Sequence, residues 1–367
     1  MITVTKSSLP KLDKYIEYLK KIWTTRWLTN DGEYTKLLEE RLKAYLRIKN
    51  LALVSNGTLA LQLALRVLDL KGEVITTPFT FIATTNAIVW ERLKPVFADI
   101  DPQTFNIDPA EVERKITEKT SAILAVNVYG NSCCMEELQE IAEKHELRLI
   151  FDSAHAFGVE YKNKSVLDYG DMSTLSFHAT KVFNTIEGGA IASVKEELTQ
   201  KVKTIRNHGI KSEEEVVLPG TNAKMNEFQA AMGLCNLENL ELNLQLRKKL
   251  YDEYKERLGC EPVKFQEITA SKYNYSCMPV CFESGRIRNE VSDELLRKGI
   301  KSRKYFYPLT VKADYFREKT QDLSNKSGLD VASSISERIL CLPLYPDLDT
   351  STVDQIVKVI FQVLKNN

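Results

Sequence analysis

The first half of the chain alternates short apolar runs with amphipathic segments, and this alternation restricts the fold more than any other feature of the sequence. The strand-like runs lie at residues 51–54, 73–76, 94–97, 122–126, 147–151, 174–177 and 190–193. Strands that are apolar throughout and separated by helices are typical of a mostly parallel sheet covered on both faces. The sequence therefore predicts an α/β fold, in which ligands collect at the carboxyl ends of the strands.

Helical periodicity fills the segments between these runs. The predicted helices of this half, and of the segment that follows it, cover residues 35–46, 59–68, 84–90, 109–116, 135–144 and 226–240. The N-terminal stretch is mostly polar but contains Trp23 and Trp27 beside the turn sequence Asn30-Asp31-Gly32. Because each indole ring can bury a large apolar area, we interpret both tryptophans as packing anchors.

The pattern changes in the last third of the chain. Residues 273–282 alternate like a half-buried strand, residues 290–298 read as a helix, and apolar residues from 353 to 364 recur with a period of 3.6. This change is the only boundary signal in the sequence. We therefore predict a large domain over residues 1–244 and a smaller α+β domain over residues 245–367.

The charge composition gives no reason to expect a polyanionic partner. Fifty Lys and Arg residues balance fifty Asp and Glu residues, so no overall basic excess attracts nucleic acid or an anionic membrane. No apolar run approaches the roughly 18 residues that a membrane span needs. The sequence thus predicts a soluble protein.

The cysteine content indicates a reducing compartment. The cysteines are odd in number, they contain no CxxC pair, and nothing like a signal peptide is seen at MITVTKSSLP. We expect reduced thiols in the cytoplasm, with neither a disulfide framework nor a metal site. The cysteines are Cys133, Cys134, Cys235, Cys260, Cys277, Cys281 and Cys341.

Three polar positions fall at strand ends and together indicate one cofactor. Ser55-Asn56-Gly57-Thr58 leads from a strand into a helix, which offers a phosphate free N–H groups and a positive dipole end, although an ordinary helix cap would look the same. Asp152 ends its strand, where it caps a loop or holds a protonated ring nitrogen. Lys181 lies in a loop between two strands, and an amine with an ordinary pKa of ~10.4 becomes a nucleophile only when its proton is removed. In this order, the three are the points needed to hold pyridoxal phosphate.

Nine motifs along most of the chain carry a resemblance to a known family. They are WLTNDG, SNGTLAL, TTPFTFIATTNAI, PVFADIDPQTFNID, VYGN, FDSAHAFG, GDMSTLSFHATKVFNTIEGGAI, GTNAKMNEFQAAMG and LPLYP. Each is weak alone. Together, in this order, they resemble the fold type I aminotransferases and, among them, the nucleotide-sugar aminotransferases of the DegT/DnrJ/EryC1/StrS family. The resemblance implies a large domain with a mostly parallel mixed sheet, pyridoxal 5'-phosphate as cofactor, and a homodimer with shared active sites.

The resemblance also implies roles for individual residues. Lys181 matches the lysine that bonds the cofactor aldehyde and later moves protons. Asp152 matches the carboxylate on the pyridine nitrogen, and His155 stands where relatives place a Gln or His that bonds the ring hydroxyl. Lys181 is therefore the implied catalytic residue.

The remaining cofactor contacts are implied by the same motifs. Gly57, Thr58 and Ser176 match the phosphate binders. Phe81 matches the aromatic residue stacked on the cofactor ring. Asn222 matches an asparagine that reaches the phosphate from the neighbouring subunit.

The family reaction takes an amino group from L-glutamate, leaves 2-oxoglutarate and aminates a nucleotide-linked keto sugar. SFHATKVFNTIEGGAI, together with VTKSSLP and KIWTTRWLTNDG, is most similar to members that convert dTDP-4-keto-6-deoxyglucose to dTDP-4-amino-4,6-dideoxyglucose. One alternative is C3 amination of a dTDP-3-keto-6-deoxyhexose, whose enzymes more often carry tyrosine and glycine in place of His178 and Thr180. Another is a non-catalytic regulatory protein of the same fold, which the intact set of Lys181, Asp152 and Ser176 disfavours.

Other positions depart from the family or stay open. Lys224 stands where many relatives have an arginine, so the bidentate contact of an arginine is not carried over. No cysteine stands alone in a loop beside the site, as a cysteine desulfurase would require. No GxGxxG fingerprint of a dinucleotide-binding epimerase occurs. Five residues are candidates for binding the nucleotide, and each is equally plausible as a surface or packing residue. They are Lys6, Trp27, Arg206, Tyr305 and Tyr307.

Overall fold

The computed structural model describes residues 1–259, 263–314 and 328–367. The strands, in chain order, are β1 (Leu51–Val54), β2 (Glu73–Thr76), β3 (Lys94–Phe97), β4 (Thr120–Val126), β5 (Arg148–Asp152), β6 (Glu160–Tyr161), β7 (Lys164–Ser165), β8 (Met172–Ser176), β9 (Gly189–Ser193), β10 (Ile210–Ser212), β11 (Glu215–Val216), β12 (Lys264–Phe265), β13 (Met278–Cys281) and β14 (Ile339–Leu342). The α-helices are α1 (Leu12–Thr25), α2 (Glu33–Leu46), α3 (Gly57–Val67), α4 (Ile82–Trp90), α5 (Pro109–Arg114), α6 (Met135–Lys144), α7 (Glu196–Ile205), α8 (Glu227–Glu238), α9 (Leu240–Leu258), α10 (Gly285–Arg297), α11 (Asp330–Arg338) and α12 (Thr350–Lys365).

A seven-stranded sheet forms the centre of the fold, with the strand order β1-β9-β8-β5-β4-β2-β3. Strand β9 runs antiparallel to both of its neighbours, and the other neighbouring pairs are parallel. The predicted α/β class with a mostly parallel mixed sheet is confirmed. Because β5 and β8 are parallel neighbours, the residues that follow them emerge at the same edge of the sheet.

Alternate residues of the buried strands face two separate apolar cores. In β1, Leu53 packs into one core with α2, α6 and α8, and Ala52 packs into the other with α3, α4 and α7. The same alternation holds in β4 for Ile123 and Leu124. Burial on both faces is the reason that these strands read as continuous apolar runs.

The C-terminal elements build a third core around the antiparallel sheet β12-β13-β14. Helices α9, α10 and α12 cover this sheet with apolar side chains. The start of the chain lies here too, since Ile2 pairs with Ile300 and the carbonyl of Val4 accepts a hydrogen bond from the N–H of Leu344 at 3.1 Å. The predicted boundary between residues 244 and 245 falls inside α9.

The strand predicted over residues 273–282 is wrong in its first half, because the structure has a strand only over Met278–Cys281. Tyr275 has a left-handed φ of 53°, which a strand does not tolerate. The Asn274 amide donates to the carbonyls of His155 and Phe157 at 2.7 and 3.0 Å, so it links this segment to the loop after β5.

The interpretation of Trp23 and Trp27 as packing anchors is wrong for this chain, because their side chains are 68% and 58% exposed. Helix α1 buries Ile22. The Trp23 ring meets Phe228 only edge-on, with 5.9 Å between ring centroids. The Trp27 ring lies against the backbone of Gly32, where a Cβ would approach it to 2.6 Å.

The thiols lie mostly in the interior. Cys133 is buried and Cys134 is half-buried, whereas Cys260 lies outside the described residues. Within residues 1–259, 263–314 and 328–367, every cysteine is a free thiol and no cluster of His, Cys, Asp or Glu could hold a metal ion. In the same ranges, no helix has both the length and the apolar character to cross a membrane.

Glu227 caps helix α2 from across the fold and provides a stability prediction. Its buried carboxylate accepts hydrogen bonds from the N–H groups of Tyr34 and Thr35 at 2.8 and 3.0 Å, and from the Thr35 hydroxyl. We expect Glu227→Ala to lower the free energy of unfolding by about 3 kcal/mol, because these buried donors lose their hydrogen-bond acceptor. Urea unfolding measures the change. The control Glu241→Ala removes an exposed carboxylate that accepts from a tyrosine hydroxyl, and equal losses in the two variants would contradict the capping role.

Candidate active site

Lys181 lies in the loop that joins β8 to β9. Local hydrogen bonds shape this loop, with the Lys181 N–H donating to the carbonyl of His178 at 2.8 Å and the Thr185 N–H donating to that of Phe177 at 2.9 Å. Burial in the cavity lowers the pKa of Lys181 to about 8, opposed by the charges of Cys277 and Asp152. Near neutral pH the unprotonated fraction of this amine is therefore much larger than that of an ordinary lysine, and this fraction is the nucleophile.

Asp152 is the last residue of β5 and is buried. Its carboxylate accepts hydrogen bonds from the Thr84 hydroxyl at 2.7 Å and from the Ala154 N–H at 3.0 Å. Burial raises the pKa of Asp152, and the two hydrogen bonds and the charge of Lys181 oppose that rise. A buried carboxylate in this position favours a cationic partner inside the cavity.

His155 follows Asp152 by three residues and stands on an aromatic wall. Its ring stacks on Phe306, with the planes within 8° and the centroids 6.1 Å apart, and lies 5.7 Å from the ring of Tyr305. Burial holds the pKa of His155 well below its ordinary value, and the charges of Lys181 and Arg303 act in the same direction. The imidazole is therefore neutral, and it can donate a hydrogen bond to a ligand through one ring nitrogen or accept one through the other.

Gly57, Thr58 and Ser176 lie near the start of helix α3 and the end of β8 and line the same cavity. Helix α3 begins at Gly57, and the side chain of Asn56 caps it by accepting from the Leu59 N–H at 2.9 Å. A Cβ on Gly57 would lie 2.7 Å from the Cβ of Ser176, so only glycine allows this approach. A helix start with free N–H groups beside a serine hydroxyl has the chemistry to bind an anion, and we refer to this arrangement as the anion seat.

These groups line a single cavity of about 760 Å³. Phe81 forms part of its wall and is 47% exposed, with its ring 6.4 Å from that of Tyr305. The sequence-predicted residues that the cavity brings together are Gly57, Thr58, Phe81, Asp152, His155, Ser176 and Lys181.

Asn222 is the predicted site residue that lies outside this cavity. It is exposed, and its backbone pairs with that of Asn207. The Lys224 ammonium donates to the Asn207 side chain at 2.8 Å. Neither Asn222 nor Lys224 lines the cavity of its own chain.

The five candidates for gripping the nucleotide lie in different environments. Tyr305 lines the cavity, and Tyr307 is exposed under the guanidinium of Arg288, 4.9 Å from its ring. Trp27 is exposed, as described above. Lys6 pairs with Asp347 at 3.4 Å, and Arg206 is buried against Asp31 at 2.8 Å.

The sequence reasoning missed two residues of the cavity. Thr84 was placed only as the start of a helix, yet its hydroxyl donates to Asp152. Arg303 lines the cavity beside Tyr305. The threonine-rich run TTPFTFIATT and the basic-aromatic run KSRKYFY were the available signals, but neither carries a spacing that specifies a site.

The side chains present fit pyridoxal phosphate. Burial raises the pKa of the Asp152 carboxylate, and a protonated ring nitrogen would give this carboxylate a cationic partner. Lys181 has a pKa of about 8, and its amine can react with an aldehyde. The close approach of Gly57 to Ser176 provides a phosphate seat without a Cβ in the way. The donor set therefore matches the aldehyde, ring nitrogen and phosphate of this cofactor.

The model of the DegT/DnrJ/EryC1/StrS aminotransferase family matches residues 11–361. The chain belongs to this family. A dTDP-4-amino-4,6-dideoxy-D-glucose transaminase from Escherichia coli is 40% identical to this aminotransferase over 366 residues, which is 98% of each chain. The enzyme is thus a pyridoxal-phosphate-dependent transaminase.

Solved structures of the family superimpose on this aminotransferase over nearly its whole length. The crystal structure of DesI in the presence of its TDP-sugar product has a TM-score of 0.91 at 30% identity, covering 98% of this chain and 92% of that one. The structure of NtdA from Bacillus subtilis, with the cofactor PMP bound, has a TM-score of 0.89 at 29% identity, covering 96% and 82%.

The hydroxyl of Thr84 provides a pH prediction. In Thr84→Val the hydrogen bond to Asp152 is lost, so the pKa of Asp152 rises further and its carboxylate takes up a proton at higher pH. We expect the acid limb of the profile of kcat/KM against pH to move upward by about one pH unit. Steady-state assays from acid to neutral pH measure the shift.

Thr85→Val is the matched control for Thr84→Val. Thr85 is also buried, but its hydroxyl donates to that of Thr310 at 3.0 Å. Its acid limb should stay in place. An equal shift in both variants would contradict a specific action of Thr84 on Asp152.

Proposed function

We propose that this aminotransferase moves the amino group of L-glutamate to C4 of dTDP-4-keto-6-deoxyglucose, giving dTDP-4-amino-4,6-dideoxyglucose and 2-oxoglutarate. The observation that carries the proposal is the 40% identity, over 98% of each chain, to the Escherichia coli transaminase named for that amino sugar. A cavity of about 760 Å³ supports it, because this volume has room for a substrate beside the cofactor.

Lys181 is the residue to which we assign proton transfer. With a pKa of about 8, its Nζ can accept the proton from the α-carbon of the donor near neutral pH. In the reverse direction the same Nζ returns a proton to C4 of the sugar. When bound, pyridoxal phosphate supplies an electron sink and carries the amino group between the two substrates.

We assign the other side chains to holding and orienting the cofactor. Asp152 would hold the ring nitrogen, where its negative charge would favour the protonated form. His155, which is neutral, would hydrogen-bond the ring hydroxyl, and Phe81 would pack against the ring. The anion seat of Gly57, Thr58 and Ser176, described above, would receive the phosphate.

We further propose a homodimer with two shared active sites, in which Asn222 of one subunit reaches the phosphate in the other. Asn222 is exposed and lies outside the cavity of its own chain, which supports a role across subunits. Coexpressed Lys181→Ala and Asn222→Asp subunits should recover activity that each lacks alone, because the mixed dimer keeps one intact site. Failure to recover, or a monomer in sedimentation, would contradict the shared site.

The function is tested with holoenzyme, L-glutamate and dTDP-4-keto-6-deoxyglucose, with NMR of the product. An amine at C4 with gluco configuration is the expected result. An amine at C3 would refute the proposed position. Bound cofactor whose near-visible absorbance does not change with glutamate would favour the regulatory alternative.

A cytoplasmic location is part of the same proposal. It is supported by the free thiols at all cysteines of the described ranges. Disulfides are rare in that compartment. Cell fractionation with an antibody tests it, and recovery in an exported fraction would overturn it.

A further inference from the structure

Arg303 is fixed at the cavity by its backbone. Its N–H donates to the carbonyl of Cys341 at 3.0 Å, and its carbonyl accepts from the N–H of Cys341 at 2.8 Å. Cys341 belongs to β14 and is buried in an apolar cluster that also contains Tyr129, Cys281 and Phe306. The side chain of Arg303 therefore starts from a rigid position and faces both the main cavity and a small chamber that Lys181 also lines.

The guanidinium of Arg303 stacks on an aromatic ring and has no acidic partner among the described residues. Its central carbon lies 4.1 Å from the ring centroid of Tyr305. Over residues 1–259, 263–314 and 328–367, no ion pair joins it to a carboxylate, and no hydrogen bond leaves its side chain. Arg206, by contrast, is paired with Asp31. Stacking leaves the edge of the guanidinium free to donate.

The charges that face the cavity leave Arg303 as the unassigned cation. Lys181 and Asp152 are used by the cofactor under the proposed function. Glu187 stands at the rim, 3.6 Å from the imidazole of His178. The guanidinium of Arg303 is close enough to Lys181 to act on its amine electrostatically. A cation fixed this near the reacting amine favours an anionic group on the substrate.

We propose that Arg303 binds a carboxylate of the amino donor during the first half of the reaction. This inference rests on the proposed function. Arginine presents two parallel N–H groups that match a carboxylate, and such a pair fixes orientation as well as affinity. Arg303 is thus a specificity-determining residue for the donor.

The donor carboxylate fits this position better than the diphosphate of the nucleotide sugar. The carboxylates of glutamate lie within a few bonds of the carbon that meets the Lys181 amine. In a C4 reaction, the diphosphate is separated from the reacting carbon by the full width of the sugar ring. A cation that lines the same small chamber as Lys181 is therefore nearer to the donor carboxylate.

The experiment follows each half of the reaction separately by the absorbance of the cofactor in the holoenzyme. We expect Arg303→Met to raise the half-saturating L-glutamate concentration about 10- to 100-fold. The second half, measured from the pyridoxamine form with the keto sugar, should change less than about threefold. Arg303→Lys keeps the charge without the fork and should fall between Arg303→Met and the unmodified enzyme.

Binding of glutarate provides a readout that needs no turnover. This dicarboxylate has no amino group, and calorimetry on the holoenzyme should show the same 10- to 100-fold loss of affinity in Arg303→Met. Lys301→Met is the matched control, because it removes an exposed cation two residues away that does not line the cavity. Its glutarate affinity and both half-reactions should remain unchanged.

Three outcomes would overturn the inference. Equal losses in both half-reactions would indicate a structural role, and a loss confined to the sugar half would assign Arg303 to the diphosphate. A half-saturating glutamate concentration that does not change in Arg303→Met would show that Arg303 does not bind the donor carboxylate. A failure of the unmodified holoenzyme to react with the sugar is distinct from these, because it would contradict the proposed function and not the donor contact.

Discussion

Replacing Lys181 by alanine is expected to abolish amino transfer while the protein stays folded. No second lysine lines the described part of the cavity, so no other amine can take its place. Since both nucleophilic and general-base catalysis depend on this side chain, the turnover rate should fall by about 10⁴-fold or more. Single-turnover measurements of glutamate consumption, followed by cofactor absorbance, give the rate.

The control for this variant is Lys162→Ala. Lys162 is an exposed lysine paired with Glu136 at the surface, so turnover should not change. Thermal melting should show that both variants keep the fold. A second readout is borohydride treatment, which should attach the cofactor to the peptide containing Lys181 only in proteins that retain this lysine. If Lys181→Ala converts ketone to amine at an undiminished rate, the assignment of Lys181 is wrong.

The central sheet could be predicted because its strands are buried on both faces. In β1 every residue is buried, so this strand reads as an unbroken apolar run. In β2 every residue is buried too, and its centre is the apolar pair Val74-Ile75. Helix α7 also had a signal, with Leu198, Val202 and Ile205 spaced by four and three residues, but no prediction was made for it. Residues 273–277 alternate like a strand, yet the hydrogen bonds from Asn274 to the carbonyls of His155 and Phe157 hold them in another conformation. Periodicity records which residues are buried, not which partner buries them.

The site was predictable where function coincides with a strand end. Asp152, Ser176 and Lys181 follow parallel or neighbouring strands, so the sheet itself brings them to one edge. Thr84 and Arg303 lie on other elements, about 70 residues before and 150 after Asp152. Their place in the cavity depends on how a helix and the C-terminal core pack against that edge. No spacing in the sequence encodes such an arrangement.

The exposed tryptophans show that the sequence also does not reveal which apolar side chains stay at the surface. Composition correctly marks an indole ring as a large apolar area, but it does not say what covers that area. The exposure of Trp23 is measured on one chain. What covers an apolar side chain depends on the packing of distant elements and of other chains, and composition encodes neither.

Asp152→Asn is expected to lower turnover about a thousandfold, the second largest effect in this site. The side chain keeps its shape but loses the negative charge that favours a protonated ring nitrogen. The fold should tolerate the change, because Ala154 N–H can still donate to the amide oxygen and the Thr84 hydroxyl can turn to accept from the amide nitrogen. Steady-state rates at neutral pH measure the loss.

Charge, and not the hydrogen bond, is the property that this variant isolates. A cofactor methylated on the ring nitrogen carries a permanent positive charge, so it does not need the carboxylate to keep that charge. Loaded into Asp152→Asn, it should recover a large part of the lost turnover, whereas loaded into the unmodified enzyme it should give no gain. The control Asp168→Asn removes a half-buried carboxylate outside the cavity and should leave turnover unchanged with either cofactor. If the methylated cofactor gives no recovery in Asp152→Asn, then Asp152 acts by positioning the ring, and the electrostatic role assigned to it is wrong.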